Sequence, residues 1–96
     1  MTHYVILANF TEKGIQGVKE TGKRAQGFRE LAKSMRVTIK DIFWTFGPYD
    51  VVLTMEGPDD ETVAALMMKV GAMGNLKSQT LRAFPESQIE SLVSKI

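Results

Sequence analysis

The chain has no cysteine, one histidine and three prolines. Without cysteine there is no disulfide framework, no thiol nucleophile and no thiolate metal site. A lone histidine, His3, falls short of the usual zinc ligand sets, so neither a metal nor a fixed cofactor is expected. Net charge is nearly absent too. Twelve Lys and Arg against 11 Asp and Glu leave +1, which argues against a bulk polyanion-binding surface. Long hydrophobic runs are also missing. The opening MTHYVILANFTEKG has no basic start and breaks its apolar stretch at Asn9, so it reads as neither signal peptide nor membrane span. A cytoplasmic location follows as the expectation. Ninety-six residues give a single domain, residues 1–96, since a domain usually takes ~100–150 residues. A chain of this size buries only roughly 60–65% of its unfolded surface, so an isolated core is thin.

What is present is patterned. Residues 4–10 are a β-forming run ended by Thr11-Glu12-Lys13-Gly14. From Ile15 to Met35 apolar residues recur at helical spacing, but Gly14, Gly17, Gly22 and Gly27 fall within the stretch. An interior glycine costs ~1 kcal/mol relative to alanine, so one regular helix is unfavourable. The pattern predicts a helical turn over residues 12–19, a break near Thr21-Gly22, and a main helix from about 22 to 35 capped by Thr21. Residues 36–46 and 49–55 are rich in β-branched and aromatic side chains and are separated by Gly47-Pro48, which predicts an antiparallel hairpin. Asp59 is the expected N-cap of a second helix, with Asp60 and Glu61 in its first turn and Val63, Leu66, Met67, Val70 and Met73 along its apolar stripe. Gly74-Asn75 suits its C-terminal cap. Residues 76–84 read as a fourth strand. Pro85 ends it, and Ile89, Leu92, Val93 and Ile96 mark a short terminal helix. The order βαββαβ is the split-βαβ, ferredoxin-like α+β motif, a four-stranded antiparallel sheet with both main helices on one face.

Two helices cover one side of such a sheet, and the other side lacks the clean alternation of a solvated face. The first strand is apolar on both sides, with Tyr4, Ile6, Ala8 and Phe10 alternating with Val5 and Leu7. Ile42, Phe43, Trp44 and Phe46 cannot all point at the helices. The economical cover is a second copy, giving a face-to-face homodimer with an isologous interface, open to further assembly. Burial of ~800 Å² per partner would add substantially to a marginal monomer. The alternative cover is the terminal helix folded back over the sheet, but ten residues are too few for the whole surface.

The stretch Trp44-Thr45-Phe46-Gly47-Pro48-Tyr49-Asp50 resembles the signature of the GYD-domain family, with Gly47, Tyr49 and Asp50 as the eponymous residues. The resemblance continues through residues 56–61, Gly74-Asn75-Leu76 and residues 80–84, and so covers nearly the whole chain. It implies the dimeric α/β barrel fold and no defined biochemical activity. Members often carry proline where this chain has Gly22, ahead of a pair like Lys23-Arg24, which suits a helix start there.

Six residues stand out as ligand-binding candidates: Asn9, Trp44, Tyr49, Asp50, Thr80 and Arg82. Gly47, Tyr49 and Asp50 are either a polar cluster at the rim of a barrel cavity, with Asp50 as base and the phenol as proton donor, or a hairpin in which aspartate bonds nearby amides. Asn9, Thr80 and Arg82 lie on strands that are neighbours in this fold. There the arginine would hold a small organic acid bidentately, or else pair across subunits with Asp50 or Glu56. By analogy of fold alone with cofactor-free oxygenases on dimeric α/β barrels, Asn9, Trp44, Tyr49 and Arg82 would bind an aromatic substrate and its oxyanion. Haem-degrading barrels need a helix histidine, which this chain lacks, so His3 is expected at a strand end on the surface. Seven basic residues between Lys13 and Arg36 read as a solvated helix face, since residues 51–55 carry none of the aromatics an RNA-recognition sheet needs. Two functions follow from the residues. The first is a small-molecule-binding or oligomerisation module. The alternative is a cofactor-independent, oxygenase- or isomerase-like enzyme acting on a hydrophobic or aromatic acid in the barrel cavity. The first is favoured because no nucleophile–base pair can be assembled.

Overall fold

The computed structural model describes all residues 1–96. Strand β1 (Thr2–Phe10) leads into helix α1 (Glu12–Gln16), a 3₁₀ turn (Val18–Glu20) and helix α2 (Thr21–Ser34). Strands β2 (Thr38–Trp44) and β3 (Val51–Gly57), helix α3 (Asp60–Ala72), strand β4 (Leu76–Ala83), a second 3₁₀ turn (Glu86–Gln88) and helix α4 (Ile89–Val93) follow. The sheet is antiparallel in the order β2-β3-β1-β4, the ferredoxin-like arrangement. None of its helices is long and apolar enough to cross a membrane.

Thr11 caps α1, a cap not expected from the sequence, its Oγ1 accepting from the Gly14 amide at 3.0 Å. Several local expectations hold. Asp59 caps α3, its Oδ1 accepting from Thr62 N at 2.8 Å; these bonds, backbone first, hold its carboxyl below the ordinary aspartate range. Gly47 (φ 144°) and Gly74 (φ 83°) adopt conformations that a side chain would strain.

Two details differ. The break in the first helical region is the 3₁₀ turn after Gly17, not Gly22, and α2 runs through both Gly22 and Gly27. Thr21 is already helical and does not N-cap α2; its amide closes the 3₁₀ turn on Val18 O, and its hydroxyl accepts from the Trp44 indole at 3.0 Å. The C-terminus of α2 is the other surprise. Val37 N bonds Ala32 O at 2.9 Å and Arg36 N bonds Lys33 O at 3.1 Å, a Schellman closure with Arg36 at φ 64°.

The core lies between the helices and one sheet face. Tyr4, Ile6 and Ala8 on β1 meet Met55, Leu53 and Val51 on β3 in register, and Val63, Leu66 and Ala32 close over them. A bulge between Ile39 and Asp41 on β2 lets Ile39 and Ile42, three residues apart, share this face. Gly14 is needed for close approach, because a Cβ there would sit 2.0 Å from the Asn75 carbonyl oxygen. The contact fastens α1 to the α3–β4 junction, with Thr11 N donating to Asn75 O at 3.1 Å.

The terminal segment does not fold back over the sheet. Ile89, Val93 and Ile96 remain exposed, and the molecule measures 48 × 31 × 18 Å. Its radius of gyration of 14.3 Å exceeds the ~12.5 Å of a compact chain this long.

Candidate functional site

Strand parity divides the candidate residues. Directly opposed residues of an antiparallel pair share a face. Thr80 pairs with Ile6 and Arg82 with Tyr4, so both lie on the helix side; Asn9 pairs with Lys77 on the opposite, open side. The expectation that Asn9, Thr80 and Arg82 converge is therefore corrected, although their strands are neighbours as expected. The joint constellation of Asn9, Trp44, Tyr49 and Arg82 fails for the same reason.

Arg82 has its own surroundings. Its Nε lies 3.6 Å from Asp60 Oδ1, and its guanidinium stacks 4.5 Å from the Phe84 ring centre and 5.6 Å from that of Tyr4. The Tyr4 hydroxyl donates to the same Asp60 oxygen at 2.5 Å. Burial, and then this bond to a carboxylate, push the Tyr4 phenol above its ordinary value of 10.0. Thr80 borders the same shallow depression between α3 and β4, with Val63, Ala64 and Met67. Within the chain, the carboxylate partner of Arg82 is Asp60. Glu56 instead faces His3 (3.4 Å) and Lys40 (3.8 Å).

Asp50 is a fastener. Its Oδ2 accepts from Phe10 N at 2.9 Å, its amide donates to Ala8 O at 2.9 Å, and its carbonyl accepts from Thr45 N at 2.8 Å. It ties the β2–β3 hairpin to the end of β1. Tyr49 contributes its carbonyl, which accepts from Thr45 Oγ1 at 2.5 Å. These contacts give Gly47, Tyr49 and Asp50 the geometry of a braced hairpin.

Two further features remain. The first is the open sheet face. Val5 and Leu7 on β1 stand beside Val52 and Thr54 on β3, with Phe43 on β2 and Leu81 on β4 at the flanks. Phe43 is 58% exposed and Leu81 46%. Polar groups border this patch: Asp41, which accepts from Thr54 Oγ1 at 3.3 Å, the His3–Glu56–Lys40 group, and Asn9 with Lys77. An apolar centre within a polar rim is interface anatomy.

The second is a cleft of about 340 Å³ on the covered side, between α2 and α3, where Trp44 sits. It is walled by Phe28, Leu31, Ile42 and Val70, and Thr21 and Arg24 reach it from the start of α2. Of the six candidates only Trp44 lines it. Sequence reasoning missed the rest, because the spacing between two helices leaves no local signature. Phe28 and Leu31 were legible only as core.

The chain is thus a ferredoxin-like domain with one sheet face uncovered. The chain belongs to the GYD domain family, whose model matches residues 4–93. A relative from Thermus thermophilus is 28% identical over 90 residues, covering 93% of this chain and 95% of that one; it is described as a glutamine synthetase and cystathionine beta-lyase binding protein. Solved structures share the fold. TTHA0845, also from Thermus thermophilus, aligns with TM-score 0.55 at 21% identity over 88% of this chain and 95% of its own. The hypothetical protein PHS023 from Pyrococcus horikoshii aligns at 0.57 and 18% over 92% and 95%. MtbAldR gives 0.61 and 16% over 88% of this chain, which spans about half of that longer protein (54%).

Proposed function

We propose that the protein is a non-catalytic binding module that works as a face-to-face homodimer, two open sheet faces enclosing a shared apolar layer. The observation that carries this is the uncovered centre of the sheet, where Val5, Leu7, Val52, Phe43 and Leu81 form one continuous apolar patch. Contiguous exposed patches of this kind mark interaction sites on small soluble domains. The isologous geometry brings the His3–Glu56–Lys40 group of each subunit to the rim.

The description of the Thermus relative supports protein partners for this chain as well. In the dimer, the helical surfaces and the projecting terminal segment with Ile89, Val93 and Ile96 stay available to them. Such a module would act in the cytoplasm. Enzyme chemistry in the space between the sheets finds no support in the geometry, since Arg82 and Trp44 are on the other side of the sheet.

Sedimentation equilibrium at micromolar concentration tests the proposal. The expected mass is twice the 10.7 kDa of one chain. A single 10.7 kDa species at that concentration overturns it.

A further inference from the structure

The cleft between α2 and α3 lies on the covered side of the sheet, away from the open face, so a ligand there would bind whether or not the chain dimerises. Its walls are apolar, and an apolar hollow of about 340 Å³ in contact with water is unfavourable surface for so small a core. Two residues of α2 bear on its purpose.

Gly27 lies inside α2 and lines the cleft; a Cβ built there meets no heavy atom within 4 Å. Interior glycine weakens a helix, and here neither a positive φ nor a close contact requires it. What its missing side chain does is leave room.

Arg24 borders the same cleft. Its Nη1 donates to Gly17 O at 2.8 Å and its Nη2 to Gly14 O at 3.1 Å, so the guanidinium is held in place. No carboxylate pairs with it. The chain's ion pairs are His3–Glu56, Lys23–Glu20, Lys40–Glu56 and Arg82–Asp60. A fixed, uncompensated cation beside an apolar hollow selects a ligand with an apolar body and one negative charge. The two backbone bonds leave three guanidinium N–H groups for a ligand, and a carboxylate is an anion they suit, whereas a dianionic phosphate would find only one cation among the cleft-lining residues.

We propose that this cleft binds a small hydrophobic monocarboxylate, its body between Phe28, Leu31, Ile42 and Val70 and its carboxylate on Arg24. Trp44 at the cleft edge, the chain's only tryptophan, reports occupancy.

The test titrates the full chain with 4-phenylbutyrate and with its uncharged primary amide, following Trp44 fluorescence and backbone amide shifts by NMR. The acid is expected to saturate and to bind at least about tenfold more tightly than the amide, the ratio a charge-assisted hydrogen bond supplies. Arg24→Gln should reduce that ratio to about one. Because the ratio is read within each variant, a general loosening of the fold cannot imitate the effect. Gly27→Leu should abolish binding of both compounds while the melting temperature holds or rises. Equal affinity for acid and amide, no saturable response to either, or undiminished binding by Gly27→Leu would each overturn the assignment.

Discussion

One residue of offset separates the two faces of β1, and they have opposite fates. Tyr4, Ile6 and Ala8 are at most 4% exposed beneath the helices. Val5, Leu7 and Asn9, alternating with them, are only half-buried on the other side. Across the sheet the contrast repeats, with Leu53 and Met55 enclosed and Phe43 and Leu81 open. The two faces are similarly apolar at their centres, so hydrophobicity alone does not decide which side is the monomer's core. The helices decide it, because α2 and α3 suffice for one face only. The remaining apolar content is surplus to the monomer and carries the case for a partner.

Substitutions can test this contrast directly. Ile6→Ala removes three carbons from a fully enclosed site and should cost about 3 kcal/mol in chemical denaturation. Its neighbour Leu7→Ala should cost the monomer fold less than about 1 kcal/mol, yet weaken association about tenfold or more. Equal losses of folding stability at the two positions would erase the distinction between the faces.

A smaller effect is expected at Asp59, which lies on neither face. Asp59→Ala removes the α3 cap and should lower folding stability at neutral pH without changing association. Its carboxyl is held below the ordinary 3.8 in the folded chain, so its stabilisation is present above about that pH. It is lost as pH falls through the lower, folded value, where the unfolded chain binds the proton first. Wild type and variant should thus converge in acid, as followed by denaturation at pH 2 and pH 7.

The smallest shift expected is a gain. Arg36→Gly at φ 64° relieves a left-handed backbone, partly offset by the freedom glycine gains when unfolded. The net should be about +0.5 to 1 kcal/mol, measurable as a raised denaturation midpoint with the association constant unchanged.

How much of this was written in the residues depends on the range over which each feature is determined. Strand and helix order, the Gly47 turn, the Asp59 cap and the surplus apolar face follow from periodicity and turn chemistry within a dozen residues, and all are present. The sharing of faces between distant strands is different. Whether Arg82 lies beside Asn9 or behind it depends on the parity of the β1–β4 register, which pairs Asn9 with Lys77 and Tyr4 with Arg82. No local signal specifies that parity, so the expected gathering of Asn9, Thr80 and Arg82 failed. Arg36 was missed because left-handed helix ends usually announce themselves with glycine or asparagine. The cleft was missed because Gly22 and Gly27 look like helix breakers in sequence, and only the packed helices reveal Gly27 as space.

Whether the open sheet face is an interface between two copies of the chain can be decided by the mass of Phe43→Asp in sedimentation equilibrium, beside wild type and with circular dichroism of both. Phe43 is 58% exposed on that face, outside the monomer's core. A folded single-chain species of 10.7 kDa is expected for the variant and twice that mass for wild type. A Phe43→Asp protein that remains a dimer as tight as wild type would contradict the assignment of that face.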